Sequence, residues 1–367
     1  MRGFTYICYN IFEKIKMQNI FKDLKVIDMS TVLAGPSVAT FFAELGARVL
    51  KIESPNPGDV SRSWKLPSED HKSNISAYFS SVNYKKTYLK LNLLDQEHYA
   101  LFSKHLKDAD LIIMNFKKED YKKLKVDDAN LRKVNSRLII GKITGFGNES
   151  DRIAYDLILQ AESGFMSLNG EENQAPMKMP VALIDVLAAH HLKEGLLLAL
   201  LDKKPRTISV SLYDAAVCSL MNQASNFLMT GEAPKRLGNL HPNIAPYGEL
   251  FHTLDQELIT FAIGSDKHFS LLCELLGLEG VIESKAFLSN QERVKNRIHL
   301  KKIISKKVGL IQSKMILRDC LDMGIPCAKI TGVEEVLKSS KSQSLLRKEL
   351  IEGKETIRLT SLAAQWK

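Results

Sequence analysis

The alternation of strand-like and helical runs in the N-terminal third constrains the fold of this chain most. LKVIDMS is typical of a buried strand, AGPSVATFFAELGA of a helix with Pro36 near its first turn, and RVLKIE of the next strand. Further along, TYLKLNL, DLIIMNF and RLIIGKITGFG indicate strands, EHYALFSKHLKDA indicates a helix and YKKLKVDDANLRKVN a partly helical segment. Because a strand–helix–strand unit makes its two strands parallel neighbours, we predict an α/β fold with a doubly wound sheet.

A Rossmann-like sheet of this kind suggests a dinucleotide enzyme, and Glu53 ends the second strand, where an acid that binds ribose would lie. The loop after the first strand nevertheless reads MSTVLAGPS and not G-x-G-x-x-G. Without those glycines the main chain cannot approach a pyrophosphate closely. We therefore keep the Rossmann-like sheet and expect neither NAD nor FAD.

Composition and charge point to a soluble globular protein with an anionic small-molecule partner. Hydrophobic residues make up 45% of the chain and charged residues 25%, which is ordinary for a globular protein. The net charge of +9 is scattered, and Lys-rich stretches such as VKNRIHLKKIISKKVG are typical of solvated helix faces. The chain has no zinc-finger spacing or basic-aromatic motif, so we expect no nucleic-acid partner. A phosphorylated small molecule would use the same charge.

The cysteine pattern and the absence of long apolar runs predict a cytoplasmic protein. The five cysteines contain no C-x-x-C pair, and their odd number argues against a disulfide framework; they are Cys8, Cys218, Cys273, Cys320 and Cys327. No run approaches the roughly 18 apolar residues that a membrane span needs. MRGFTYICYNIFEKIK lacks the features of a secretory signal, so we interpret Met17 as an alternative start or residues 1–16 as a disordered or targeting extension.

Asp185 lies in MPVALIDVLAAHHLKEGLLLALL, between a short extended apolar run and a long apolar helix. A carboxylate in that setting has two interpretations. One is an N-cap, whose oxygen accepts the free N–H groups of the first helical turn. The other is a nucleophile, because a partly desolvated carboxylate at a helix N-terminus is a candidate for covalent catalysis.

Ordered blocks over about residues 24–335 resemble one family. VIDMSTVLAGPSVATFFAELGARVLKIESPNPGDVSRSW resembles the opening of the class III CoA-transferase family, which includes formyl-CoA transferase and carnitine CoA-transferase. SVNYKKTYLKLNL, ADLIIMNFKKEDYKKL, GKITGFG and AYDLILQAESGFMSLNG follow in the family's order, and Asp185 follows at the expected spacing. ISVSLYDAAVCSL and the run from RLGNLHPNIAPYG onward also look like family blocks.

The resemblance implies a set of site residues around CoA and its acyl group. Asp185 falls on the catalytic aspartate of the family. The residues that it implies for CoA are Val32, Leu33, Ala34, Asn115 and Phe116. Those that it implies near the acyl group are Trp64, Tyr78, Tyr155 and Asp156. Lys85 and Lys86 are further candidates for CoA, and His241 is a further candidate for the substrate, on the residues alone.

Several of these residues also have ordinary structural interpretations. Tyr155 either contacts the acyl group or is a core tyrosine, and Asp156 either orients groups near the thioester or caps the helix LILQAESGFM. Lys85 and Lys86 meet CoA phosphates or are surface lysines at a strand edge. His241 borders the substrate pocket or holds a loop.

The resemblance implies a CoA-transferase that works through an aspartyl anhydride and an aspartyl thioester on Asp185, without a metal or redox cofactor. Three departures concern the substrate. Leu33 stands where formyl-CoA transferase has a glutamine, and Ser54 where that enzyme has an arginine. The shielding glycine-rich loop is also missing from residues 237–250. These differences argue against formyl-CoA or oxalate as the substrate.

Two other functions compete with CoA transfer. Acyl-CoA racemases of the same fold have a histidine directly before the acid that corresponds to Asp156, because proton removal beside a thioester needs a base that titrates near neutral pH. Tyr155 occupies that position here, which favours transfer. The second competitor is a non-catalytic CoA-binding protein, against which the intact Asp185 argues.

The length of 367 residues favours two domains. We expect a large Rossmann-like domain over residues 17–215, completed by residues 335–367, and a smaller α+β domain over residues 225–330. The resemblance also implies an interlocked homodimer and no membrane partner.

Overall fold

The computed structural model describes residues 19–364. The expectations about Cys8, Met17 and residues 1–16 concern positions outside that range. The described chain divides into two units. The first contains the residues up to Phe165, Lys178–Gly231 and the residues from Lys341 onward, and the second contains Met166–Met177 and Glu232–Ser340.

A six-stranded parallel sheet forms the centre of the first unit, as predicted from the strand–helix alternation. Its strands are β1 (Lys25–Asp28), β2 (Arg48–Glu53), β3 (Lys86–Lys90), β4 (Leu111–Met114), β5 (Ile139–Thr144) and β6 (Thr207–Ser211). They are arranged in the order β3-β2-β1-β4-β5-β6, and every neighbouring pair is parallel. This is the strand order of a Rossmann-like sheet.

Helices connect these strands. Up to residue 231 they are α1 (Ala34–Glu44), α2 (Ala77–Ser81), α3 (Gln96–Lys107), α4 (Lys118–Lys123), α5 (Asp128–Val134), α6 (Asp156–Glu162), α7 (Phe165–Leu168), α8 (Leu183–Asp202), α9 (Leu212–Cys218) and α10 (Met221–Thr230). One 3-10 turn spans Val60–Ser63. Among residues 19–364, no helix is both long and apolar enough to cross a membrane.

Apolar cores cover both faces of the parallel sheet. β4 is the clearest case, because all four of its residues are buried. Leu111 and Ile113 pack into the core formed with α1 and α8, whereas Ile112 and Met114 pack into the core formed with α3 and α5. Side chains of a strand alternate between faces, so a continuous apolar run is what a sheet covered on both sides requires.

The segment before Asp185 differs from the sequence-based expectation. MPVAL is not a strand: residues 179–182 have no regular structure, and α8 begins at Leu183. Val181 is 58% exposed, so the apolar run has no sheet neighbour and no core to enter. Short apolar runs are ambiguous in sequence because only tertiary pairing makes them strands.

A C-terminal hairpin returns to the first unit. Its strands are β10 (Leu346–Ile351) and β11 (Lys354–Leu359). Glu352 in the turn forms an ion pair of 3.1 Å with Arg62, and Lys354 Nζ donates to the carbonyl of Ile75 at 3.0 Å. Arg358 pairs with the buried Glu44 at the end of α1. The hairpin is therefore fixed to the large unit by charged contacts along its length.

The second unit combines a small antiparallel sheet with helices around its own core. The strands are β7 (Tyr247–His252), β8 (Leu258–Ala262) and β9 (Cys327–Lys329), and β8 lies between the other two. Its helices are α11 (Asp266–Leu275), α12 (Glu279–Ile282), α13 (Asn290–Lys295), α14 (Arg297–Val308), α15 (Ser313–Asp322) and α16 (Val333–Lys338). The short helix α17 (Ser340–Gln343) begins at the last residue of this unit and continues into the first. Phe251, Phe261 and Phe269 are central to the core.

Candidate active site

A cleft of about 430 Å³ opens at the carboxyl-terminal edge of the parallel sheet. The residues that follow β1, β4 and β5 form most of its wall, and the first turn of α8 contributes Asp185. The order of the strands reverses between β1 and β4, and ligands of open α/β sheets bind at such a switch point. This cleft is therefore the candidate active site of the first unit.

Seven of the site residues expected from the sequence come together in this cleft. They arise from four separate segments of the chain and are Val32, Leu33, Ala34, Asn115, Phe116, Tyr155 and Asp185. The side chain of Tyr155 is 52% exposed, so it is not a core tyrosine. The individual roles of the seven residues toward CoA and the acyl group remain predictions.

Asp185 is the third residue of α8 and not its N-cap, which is Ala182. The N-cap interpretation is therefore wrong, because the helix begins three residues earlier than an N-cap at Asp185 would require. Asp185 is only 8% exposed, and no described residue donates a hydrogen bond to its carboxylate. The N–H groups of the first turn are already engaged: Val186 donates to the carbonyl of Ala182, and Ile184 donates to a neighbouring carboxylate.

The environment of Asp185 favours the neutral acid. Burial raises its pKa, and the negative charge of Asp156 raises it further, to about 7. A carboxylate that is desolvated and lacks hydrogen-bond donors is stabilised little in its charged form. When it does ionise, it is a more reactive nucleophile than a solvated carboxylate.

Asp156 accepts the N–H of Ile184 on Oδ1 at 2.7 Å and the amide of Gln160 on Oδ2 at 2.5 Å. It is the first residue of α6, so it does not cap LILQAESGFM as expected. It instead caps α8, the helix that carries Asp185. Gln160 was not identified from the sequence, although its Oε1 also accepts the N–H of Met179 at 2.7 Å. The only sequence signal was a glutamine four residues after an aspartate.

Trp64 and Tyr78 pack edge-to-face with their ring centroids 5.1 Å apart. Burial raises the pKa of Tyr78 to about 12, and the charges of Asp185 and Asp156 contribute to this shift. Tyr78 is thus close enough to both carboxylates to interact with them electrostatically. The expectation that Trp64 and Tyr78 lie near the acyl group stays a prediction.

Asn115 uses its side chain to fix the loop after β1. Its Oδ1 accepts the N–H of Thr31 at 3.0 Å, and its Nδ2 donates to the carbonyl of Thr31 at 2.9 Å. Asn115 therefore lines the cleft, but one N–H of its side-chain amide and one acceptor position of its oxygen are already hydrogen-bonded within the protein. Phe116, beside it, packs against Tyr121 with ring centroids 5.7 Å apart.

Lys86 is not available to CoA phosphates, and this expectation is wrong. Its ammonium group is buried, forms an ion pair of 2.8 Å with Asp28, and also donates to the oxygens of Pro36, Val82 and Asn83 at 2.9–3.0 Å. Burial lowers the pKa of Lys86 to about 8, although Asp28 opposes the effect. The distant partner Asp28 makes this buried lysine possible, and no local pattern indicates it.

Lys85 is exposed but lies before the first residue of β3, at the amino-terminal edge of the sheet. The cleft lies at the opposite edge. The N–H of Lys85 donates to Glu349 at 2.9 Å, and its ammonium group lies 5.5 Å from the centre of the Tyr84 ring. The structure does not place Lys85 with the other expected CoA-contacting residues.

Other cations line the cleft instead, and the sequence analysis did not single them out. They are Lys117, Lys118, Lys122, Lys142 and Arg152. Lys118 pairs with Glu149 at 2.9 Å, Lys142 with Asp128 at 2.5 Å and Arg152 with Glu162 at 2.5 Å. Lys117 and Lys122 form no ion pair with any residue in the range 19–364. Their place after β4, in the run NFKKEDYKK, was a usable signal.

His241 belongs to the second unit, and its contacts described here are with that unit. Its ring packs against Tyr247 with centroids 5.0 Å apart, and its carbonyl accepts Arg297 Nη1 at 2.9 Å. Its Nδ1 accepts the N–H of Asn243 at 3.1 Å. These contacts fit the interpretation in which His241 holds a loop, and its role toward the substrate stays a prediction.

The chain is similar to several known proteins over most of its length. Succinate–glutarate CoA-transferase of Agrobacterium fabrum is 34% identical over 331 residues, which are 88% of this chain and 82% of that enzyme. Acetyl-CoA:oxalate CoA-transferase of Acetobacter aceti is 31% identical over 87% of this chain and 83% of its own. The crystal structure of a CAIB/BAIF family protein from Brucella suis has a TM-score of 0.79 at 30% identity, over 95% of this chain and 93% of that one.

The sequence model of CoA-transferase family III matches residues 21–365, which is nearly the whole chain. The resemblance inferred from the ordered sequence blocks is thereby confirmed. The chain belongs to CoA-transferase family III.

Proposed function

We propose that the protein transfers CoA from an acyl-CoA to a free carboxylic acid, with Asp185 as the nucleophile. The observation that carries this proposal is the position of Asp185: it is a buried carboxylate without a hydrogen-bond donor, and it faces the cleft at the switch point of the sheet. A structural carboxylate would be paired or hydrogen-bonded in such a position. An unpaired one needs another purpose.

The transfer proceeds by acyl exchange between carboxylates and one thiolate. An oxygen of Asp185 attacks the thioester carbonyl, the C–S bond breaks, and a mixed anhydride and CoA thiolate result. The thiolate attacks the aspartyl carbonyl, which releases the first acid and leaves an aspartyl-CoA thioester. The acceptor acid attacks this thioester to form a second anhydride, and the thiolate then takes the new acyl group. Asp185 returns as a carboxylate, and no water is consumed.

Burial of Asp185 favours both the reaction with the donor and the reaction with the acceptor acid. A carboxylate with few hydrogen bonds loses little solvation when it attacks, and anhydrides and thioesters hydrolyse unless water is excluded. The raised pKa of Asp185 requires a pH near or above 7 for the ionised form in the free protein. Since only acyl transfers occur, these reaction steps need neither an electron carrier nor a Lewis acid.

We infer that the acceptor and donor are short carboxylic acids, with dicarboxylic acids first. Relatives that are named for succinate, glutarate and oxalate support this class. Leu33 gives the cleft wall an aliphatic side chain, and a screen of acetyl-, succinyl- and glutaryl-CoA against free acids would identify the pair. The expectation against oxalate, which rests on Leu33 and Ser54, is tested in the same screen.

The deciding experiment uses an acyl-CoA that is radioactive in its CoA moiety, because CoA stays on Asp185 as a thioester after the first acid has left. The wild-type protein should transfer CoA to an added acid and retain acid-precipitable label when the reaction is quenched early. Asp185→Ala should bind CoA with nearly unchanged affinity but retain no label and transfer nothing. Binding without any transfer by the wild type would mean a CoA-binding protein. Activity of Asp185→Ala above a few per cent would remove Asp185 from the mechanism.

We also propose that the protein is a homodimer. Large apolar side chains are exposed on two helices of the first unit: Leu198 and Leu201 on α8, and Leu228 and Met229 on α10 are between 67% and 85% exposed. Contiguous exposed apolar surface is typical of interfaces. Sedimentation equilibrium should give twice the mass of one chain, and a monomer at micromolar concentration would contradict this.

We place the protein in the cytoplasm because its four described cysteines are free thiols.

A further inference from the structure

The loop that forms one wall of the cleft is held in an unfavourable conformation at Val32. The φ angle of Val32 is 73°, in the left-handed region, and its side chain is β-branched. Such a conformation is strained for a β-branched residue and persists only where its surroundings enforce it. Val32 lines the cleft together with Leu33 and Ala34, so whatever enforces this conformation also shapes the cleft.

Asp59 is the group that bonds to Val32. Its Oδ1 accepts the N–H of Val32 at 3.2 Å, and the same oxygen accepts the N–H and the hydroxyl of Ser61 at 3.0 and 2.7 Å. The side chain of Asp59 is fully buried. On the other side of Val32, Asn115 holds Thr31 by two hydrogen bonds. The strained residue is thus fixed from both directions by side chains that are remote in sequence.

Lys51 ties Asp59 to the same loop. Its Nζ lies 3.1 Å from Asp59 Oδ2, donates to the carbonyl of Ser30 at 2.7 Å, and lies 3.8 Å from Asp28. Both Lys51 and Asp59 have fully buried side chains. Because Ser30 and Val32 belong to one loop, a single ion pair holds that loop at two points.

The main chain of Asp59 is fixed as well. Its N–H donates to Glu53 Oε2 at 2.9 Å, and Glu53 forms a two-pronged ion pair with Arg62, with distances of 2.6 and 2.9 Å. All of these charged groups are buried. Buried ion pairs add little net stability because of their desolvation penalty, but they can specify one conformation. Two such pairs beneath one loop point to conformational control of the cleft.

We propose that Asp59 is a positioning residue, which sets the wall of the cleft for CoA by holding Val32 in its strained conformation. This inference rests on the proposed function, because it assumes that CoA binds in this cleft. Asp59 does not line the cleft itself, so it acts on the ligand only through the loop. Its loss should therefore appear in CoA affinity beyond any loss of stability.

The test compares Asp59→Ala with Glu44→Ala, because the amide oxygen of an asparagine at position 59 could still accept the N–H of Val32. Both changes remove a buried carboxylate that is paired with a buried cation in the first unit, but Glu44 bonds to Arg358, Thr360 and Ser361 of the C-terminal segment. We expect both variants to melt at lower temperature than the wild type. Asp59→Ala should weaken binding of CoA in titration calorimetry by about tenfold, and Glu44→Ala should leave it within about twofold. Equal affinities of the two variants would overturn the proposal.

Val32→Gly separates action through the loop from any other effect of Asp59. Glycine adopts positive φ without strain, so the loop no longer needs enforcement. In that background, Asp59→Ala should cost less than about twofold in CoA affinity, as a double-mutant cycle would reveal. A full tenfold loss in both backgrounds would mean that Asp59 does not act through Val32.

A third measurement needs no variant and remains informative if Asp59→Ala does not fold. In the wild type without CoA, the Val32 amide should exchange with solvent slowly, because a buried carboxylate already binds it. Rapid exchange that becomes slow only on adding CoA would contradict a preformed loop. Wild-type protein that binds CoA but transfers none would refute the proposed function and leave this inference standing.

Discussion

The main-chain N–H of Ile184 donates a hydrogen bond of 2.7 Å to Oδ1 of Asp156. One carboxylate therefore caps the helix that presents another, Asp185, to the cleft. The contact orients the first turn of α8, and it also places a negative charge beside Asp185. The second effect makes Asp185 harder to ionise, so a single residue both positions and tunes the candidate nucleophile.

Asp156→Asn should move the acid limb of the pH profile of kcat/KM to lower pH. The amide oxygen can still accept the N–H of Ile184, but the charge that helps to raise the pKa of Asp185 is lost. In the wild type, kcat/KM should fall as the pH drops below about 7. A matched control is Glu194→Gln, which neutralises an exposed acid on α8 itself. An unmoved limb in Asp156→Asn would exclude this coupling.

Asp185→Asn should stabilise the protein at alkaline pH and not in acid. The folded protein binds a proton on Asp185 up to about pH 7, whereas the unfolded chain releases it near pH 4. Stability is thus lost as the pH rises through that window, by up to about 4 kcal/mol above pH 7. The difference in melting temperature between Asp185→Asn and the wild type should be near zero at pH 4 and largest at pH 8.

Asp214→Asn is the control for that experiment. Asp214 is the third residue of α9, as Asp185 is of α8, but it is exposed. Its replacement removes a favourable charge from a helix N-terminus and should cost a few tenths of a kcal/mol at pH 8. A gain in melting temperature for Asp185→Asn that is equal at pH 4 and pH 8 would show that Asp185 ionises normally.

The sheet could be predicted from sequence because its signal is local. The central strands of the sheet are apolar runs, and β4 illustrates why: LIIM has to be buried on both faces. The family could be predicted as well, because its blocks appear in order along the chain. The prediction of a strand at MPVAL was wrong, because an apolar run becomes a strand only if a neighbouring strand pairs with it.

The polar interior could not be predicted, because its partners are distant in sequence. Lys86 looks like a surface lysine until Asp28, 58 residues earlier, is placed beside it. The same holds for Asp59, because nothing in the run NPGDVSRSW indicates that its carboxylate bonds to Val32, 27 residues earlier. The predicted start of α8 was also wrong. The side chain that caps this helix belongs to Asp156, which is remote in sequence, and not to a neighbouring residue.

Lys117→Ala should weaken CoA binding several-fold, and Lys85→Ala should not. Lys117 lines the cleft without an ion-pair partner among the described residues, whereas Lys85 lies at the opposite edge of the sheet. The wild type should bind CoA less tightly as salt increases, and Lys117→Ala should reduce that dependence. CoA without its 3′-phosphate should bind less tightly than CoA. An equal loss of CoA affinity for Lys85→Ala would mean that the CoA phosphates do not lie beside the segment that follows β4.

The last prediction concerns the reaction type. Tyr155 lies at the cleft, directly before Asp156, where racemases of this fold have a histidine. An imidazole titrates near neutral pH and a phenol near pH 10, so a phenol is a poor base for removing a proton beside a thioester. The wild type should therefore not exchange the α-proton of a 2-methylacyl-CoA in heavy water. Tyr155→His should introduce slow exchange at most, without faster CoA transfer. Rapid deuterium incorporation by the wild type, in the absence of an acceptor acid, would identify a racemase.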